Sequence, residues 1–166
     1  MQPSSHRADF IQAMRHVPGA VAIITCALGE ERTGLAATAW NSLTADPPML
    51  LACVNRTASA HALIVQAAAF SVNVVPASDV EVVAIFSAQR GLSGKDRFIE
   101  ADWTVGRLGQ PLMKNAAAAF ECALEAEHVY GTHSIFIGRI DAVLQSDPSD
   151  ALLYVDGGYA TARILS

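Results

Sequence analysis

The sequence predicts a mainly β protein with short α-helices, its strands closing into a largely antiparallel barrel. Three observations carry that prediction. β-branched and apolar residues gather in short runs, as in "AVAIITCAL", "MLLACVN" and "FSVNVV". Turn-forming residues separate the runs at intervals too short for the helix–strand alternation of a doubly wound sheet. Phe120, Cys122, Leu124 and Ala126 alternate with Glu121, Glu125 and Glu127, the period of two that marks a half-buried strand.

Taken in order, "SSHRADFIQAMRHVPG" opens with Ser4 and Ser5 as helix caps, sets Phe10, Ile11 and Met14 on one stripe, and stops at Pro18–Gly19. "AVAIITCAL" and "TGLAATAW" then read as a hairpin across "GEER", with "MLLACVN" as a third strand. The intervening "NSLTADPP" reads as a fixed loop, because its paired prolines cannot donate to a ladder. "ASAHALIVQAAA" is a helix with Leu63 and Ile64 on one face. "FSVNVV" is a strand, and "SDVEVVAIFSAQ" is a capped helix.

"RGLSGKDRFIEADWTVGRLGQP" carries four glycines and many charges without periodicity, and reads as a long functional loop. A strand is expected from Ala118 onward, followed by strands in "HSIFIGRIDAVLQ" and "ALLYVDGGYATARI", with Gly157–Gly158 as a tight turn. Neither repeats nor low-complexity segments divide the chain, so residues 1–166 are expected to form one domain.

Composition narrows the function. The 166 residues are 52% hydrophobic and only 16% charged, against roughly 25% charged in an average soluble protein. Such a deficit points to a surface buried against a partner. Eleven basic residues against sixteen acidic ones, a net charge of -5, leave no basic field for a nucleic acid. No apolar run approaches the ~20 residues of a membrane span. The amino terminus mixes charges and lacks a signal-peptide core, so a cytoplasmic location is expected. Cys26, Cys53 and Cys122 are odd in number and widely spaced, which fits core residues better than disulfides or a metal site. GxGxxG, the phosphate loop, HExxH and GxSxG are all missing, which argues against a dinucleotide fold, an NTPase, a zinc hydrolase and a serine hydrolase.

"TGLAATAWNSLTADPPMLLACVNRTASAH", residues 33 to 61, resembles the flavin reductase family with the FMN-binding split-barrel fold. The match runs through small residues, Thr38, Ser42, "DPP", an apolar strand and "VNRTASAH". "FSVNVV", "GTHSIFIGRI" and "LLYVDGGY" follow as further motifs in the family's order. The resemblance implies a split β-barrel homodimer that takes a hydride from NADH or NADPH, reduces FMN or FAD, and supplies reduced flavin to a partner monooxygenase.

A flavin needs small residues beside its ring, donors at its edge, and cations or hydroxyls at its phosphate. By resemblance, Ala37, Thr38, Ala39, Trp40 and Ser42 belong near the ring, and Cys53, Val54, Asn55, Arg56 and Ser59 near the ribityl chain and phosphate. Lys95, Arg97, Phe98 and Tyr159 are further candidates to touch the cofactor. His133 takes the family's nicotinamide-positioning role, with Thr132 where many members carry an aspartate. Plainer roles stand beside these: Trp40 as a core aromatic, Arg56 as a surface charge, residues 95–97 as an exposed charge run, Tyr159 as packing. The fold also accommodates an oxidase of a phosphorylated pyridoxal-type substrate, or a flavin-binding sensor without turnover.

Overall fold

In the computed structural model, residues 6–146 and 150–166 are described. The expected caps Ser4 and Ser5 lie outside them. The first helix, α1, spans His6–Arg15 and buries none of its residues, leaving Phe10, Ile11 and Met14 exposed on this chain. After β1 (Gly19–Ala20) come β2 (Ala22–Leu28) and β3 (Glu31–Ala37), paired from Leu28↔Glu31 to Ala22↔Ala37. Their two-residue turn puts Gly29 at a φ of 59°, where a side chain would be strained.

The segment read as a fixed loop is a strand. β4 (Trp40–Ala45) pairs with β5 (Pro48–Asn55), and only Asp46 and Pro47, joined by a cis peptide, turn the chain between them. β4 is an edge strand whose residues are nearly all exposed, so it lacks the alternation by which strands are recognised. Pro48 sits at the very start of β5, where a missing donor is tolerated.

Helix α2 (Ser59–Ala67) buries Ala60, Leu63 and Ile64 and ends at Ala68 in the left-handed conformation. β6 (Ala69–Val74) is buried along its whole length. Helix α3 (Val80–Phe86) is capped by Asp79, whose carboxylate accepts from the Val82 amide. The expected long loop is shorter than its sequence implied: a 3-10 turn at Gly94–Phe98 precedes a small hairpin of β7 (Trp103–Val105) and β8 (Pro111–Met113). Strands of three residues are too brief for periodicity to register.

β9 (Ala118–Tyr130) starts at the expected residue and turns through Gly131–Thr132 into β10 (His133–Gln145). β11 (Leu153–Val155) and β12 (Gly158–Ala160) close a small sheet with β1. Their turn is Asp156–Gly157, one residue earlier than expected, and Gly158 already pairs with Val155.

The main sheet runs β3-β2-β6-β9-β10-β5-β4, with every pair antiparallel. It curls until β3 and β5, far apart in that order, both touch α2. This is the split barrel that the resemblance implied, with α2 packed against β2, β3, β5 and β6. Ile24, Val54, Ile64, Phe70, Val72 and Phe136 fill the space around α2. Ile23, Val82, Phe86 and Met113 form a second core on the other side of β2. β2 is therefore apolar on both faces, as "AIIT" records. Asn73 stitches β8 to the sheet, donating to the Ile23 carbonyl at 3.0 Å and accepting from the Met113 amide at 2.8 Å.

Candidate functional site

The ends of β5 and β10 bring one set of candidates together. His133 lies opposite Asn55, and Cys53 lies opposite Ile135. On the far side of β10, His133 faces Tyr130 and Ile135 faces His128. Residues two apart share a face, so Cys53, Asn55, His128, Tyr130, His133 and Ile135 form one outward surface. Ala39 borders it, accepting from the Cys53 amide at 2.8 Å. Val54 points the other way and is fully buried in the core. Only its backbone is available to a ligand.

The turn after β5 is locked from within. Asn55 Oδ1 accepts from both the Thr57 amide and the Thr57 hydroxyl at 2.9 Å. The Arg56 amide donates to the Thr132 carbonyl at 2.9 Å, tying this turn to the tip that carries His133. Thr132 Oγ1 lies 2.8 Å from His133 Nδ1 and fixes the ring by a neutral hydroxyl. Asn55, Arg56, Thr57, His61, Gly131 and Thr132 line a cavity of about 580 Å³ between turn and tip.

Ser59 faces a second cleft, of about 430 Å³, against the start of β3 and the 93–95 segment. Its hydroxyl is 2.8 Å from Thr33 Oγ1. Arg32 and Lys95 add two cations, and Glu30 and Glu31 lie on its wall. Ala58, the N-cap of α2, offers no side-chain bond, so the amides of the first turn are not capped by a side chain.

Of the three loop candidates, Lys95 alone is presented to this cleft. Arg97 is spent on the loop itself, donating to the Leu92 carbonyl at 2.9 Å and the Gly34 carbonyl at 2.8 Å. Phe98 stacks edge-on with Phe86 at 5.2 Å and Trp103 at 4.8 Å, with the Arg32 guanidinium 5.3 Å from its ring centre. Both anchor the segment that holds Lys95.

The remaining candidates lie beyond the end of β3. Ala37, Thr38 and Tyr159 line a cavity of about 260 Å³ with Val21 and Val83. Trp40 donates its indole N–H to the Ala20 carbonyl at 2.8 Å and packs against the core, while bordering a groove beneath α1. Ser42 is exposed on the edge strand, opposite Leu50. Arg32, Thr33, Thr57 and His61 were not singled out by sequence: Arg32 sits in a hairpin just before the matched stretch, and the other three lie within it without a spacing that marks them.

Residues 14–163 match the family model described as the flavin reductase like domain. The chain belongs to this family. Among flavin reductase relatives, the FMN reductase (NADH) RutF of Stutzerimonas stutzeri strain A1501 is 35% identical over 153 residues, 92% of this chain and 87% of its own. The reductase component of an FADH2-dependent resorcinol hydroxylase from Rhizobium sp. strain MTP-10005 is 32% identical over 98% of this chain and 90% of its own. BorF, the flavin reductase component of a bacterial two-component tryptophan halogenase, superposes with a TM-score of 0.85 at 28% identity, covering 93% and 96% of the two chains. No helix among the described residues is long and apolar enough to cross a membrane.

Proposed function

We propose that this chain is a single-domain, homodimeric NADH-dependent flavin reductase of the cytoplasm, which reduces FMN or FAD and releases it to a separate flavin-dependent oxygenase. One observation carries the reading: in a flavin reductase family chain, His133, Asn55, Cys53 and Ala39 share a surface that adjoins the Arg56 turn and the uncapped start of α2.

The donor set suits a flavin. Ala37 and Ala39 are small enough to admit a flat ring beside β3 and β4, and Thr38 supplies a hydroxyl there. Ser59 and Lys95, joined in one cleft by Arg32 and Thr33, supply cations and hydroxyls for a phosphate, with the first amides of α2 behind them and Arg56 on the separate cavity of the preceding turn. A flavin held there would supply the two-electron chemistry, as acceptor of one hydride from a nicotinamide. His133, its ring fixed by Thr132, holds the nicotinamide at the proper distance, and no proton donor is required of it.

The homodimer rests on the outward face of β5 and β10. In β5 the residues alternating with buried Leu50, Ala52 and Val54 are Met49, Leu51 and Cys53, themselves apolar and half-buried. Ile135 and Ile137 continue this patch on β10, opposite Cys53 and Leu51. A sheet face meant for water carries polar residues; this one suits a second copy. The patch adjoins His133 and Asn55, so a partner seated there would wall the site.

Loss of nicotinamide absorbance in air tests the reading, with NADH or NADPH and added FMN or FAD in all four pairings. Rapid oxidation that saturates with added flavin is the expected result. No oxidation despite flavin binding would overturn it.

A further inference from the structure

On the inner side of the β9–β10 hairpin, beneath His133, three polar side chains meet. His61 Nε2 lies 2.7 Å from Ser134 Oγ and 3.1 Å from Glu127 Oε1, and Ser134 Oγ donates to that same oxygen at 2.7 Å. Ser134 is fully buried, and the side chains of His61 and Glu127 are only 14% and 28% exposed. The His61 ring also packs on Phe136, with centroids 5.1 Å apart. Ser134 has one hydroxyl proton, which goes to Glu127. Its contact with His61 therefore needs the proton on Nε2. Both contacts of the imidazole use the same nitrogen, whereas a nucleophilic serine relay uses the two ring nitrogens separately, so this is no hydrolytic triad.

We infer that His61, acting through Ser134 and Glu127, is a positioning residue for His133, an inference whose kinetic consequence rests on the reductase reading. Ser134 is the next residue after His133 on β10, and Glu127 lies on the paired strand. From His128 to Tyr130 every residue of β9 is exposed, so the tip has little inward packing of its own. His61 supplies a buried anchor from α2, and the Arg56–Thr132 backbone bond supplies a second tie from the turn before it. Because His61 follows Ser59 by two residues, one rigid helix start sets both the phosphate-side cleft and the height of the hairpin tip.

The test uses the full chain with three substitutions. His61→Phe keeps the packing on Phe136 and removes the hydrogen bonds. His61→Gln restores a donor near the Nε2 position. Ser134→Ala breaks the link with the smallest change of volume, should His61→Phe fail to fold. Steady-state kinetics and the imidazole NMR signals of His133 are read side by side. His61→Phe and Ser134→Ala are expected to raise KM for NADH about tenfold with kcat little altered, since small displacements of an orienting group are costly. Both should shift the His133 signals, and His61→Gln should recover most of each effect. Unchanged KM and His133 signals in Ser134→Ala, or no recovery in His61→Gln, would overturn the inference. If the unaltered protein oxidises no nicotinamide with either flavin, the reductase reading fails, and the His133 signals alone decide the positioning role.

Discussion

At the scale of single residues, His133 and Cys53 illustrate two kinds of legibility. His133 was placed by a motif, and its surroundings give the motif a physical content: Thr132 holds Nδ1 and Asn55 faces it across the strand pair. His133→Ala is expected to raise KM for NADH at least about tenfold while flavin affinity, followed by equilibrium titration, stays within experimental error of the unaltered protein. Of the three cysteines expected in the core, Cys26 and Cys122 are there, and Cys53 is instead half-buried on the outward face. Burial pushes the Cys26 and Cys122 thiols up to about 12, while half-buried Cys53 is raised by burial as well and lies on the outward face. A thiol-alkylating reagent near neutral pH should reach Cys53 once the outward face is uncovered, as in a monomeric variant, and Cys26 and Cys122 only on unfolding. Mass spectrometry of the intact chain separates these outcomes. Arg97 and Phe98 could not be sorted from Lys95 by sequence, since all three lie in one polar stretch. Only the carbonyls of Leu92 and Gly34 reveal which cation is already committed.

At the scale of elements, long periodic segments were readable and edge or tip segments were not. β9 and β10 announce themselves over thirteen residues each, whereas β4 is hidden because neither of its faces is covered. The β7–β8 hairpin is invisible for another reason: its support comes from elsewhere in the chain. Glu121 on β9 is fully buried and accepts from the Leu108 and Gln110 amides at 2.9 and 3.0 Å, holding the hairpin turn. A Cβ at Gly106 would collide with that carboxylate, so the glycine is fixed by close approach. Gly106→Ala is expected to cost about 1–3 kcal/mol in urea unfolding, the usual cost of overpacking a filled site. Pairing it with a shorter side chain at Glu121 should relieve the clash but forfeit the two amide bonds.

At the scale of the whole molecule, the low charge content of the sequence has a counterpart in the apolar outward face of β5 and β10, where the proposed homodimer would form. Leu51→Glu or Ile135→Glu, aimed at that face, should convert a dimer to monomers in analytical ultracentrifugation. A fall in flavin-dependent turnover should accompany it. Acid stability has a separate origin. Hydrogen bonds from Arg90, Arg139 and Arg107 hold Glu81, Glu125 and Asp141 below their ordinary values of 4.5, 4.5 and 3.8. Groups depressed in the folded state add stability that is full above those ordinary values and is lost as pH falls through the folded ones. All three pairs are at the surface, so added salt should shrink this acid-side slope in thermal melts. The two tryptophans also divide the molecule optically. Trp103 keeps an unpartnered indole N–H inside the Phe86–Phe98 cluster, while Trp40 gives its own to the Ala20 carbonyl beside the α1 groove. The protein thus carries two tryptophan reporters in different settings: Trp103 should follow melting of the aromatic cluster, and Trp40 should follow what settles on or leaves the edge of the barrel.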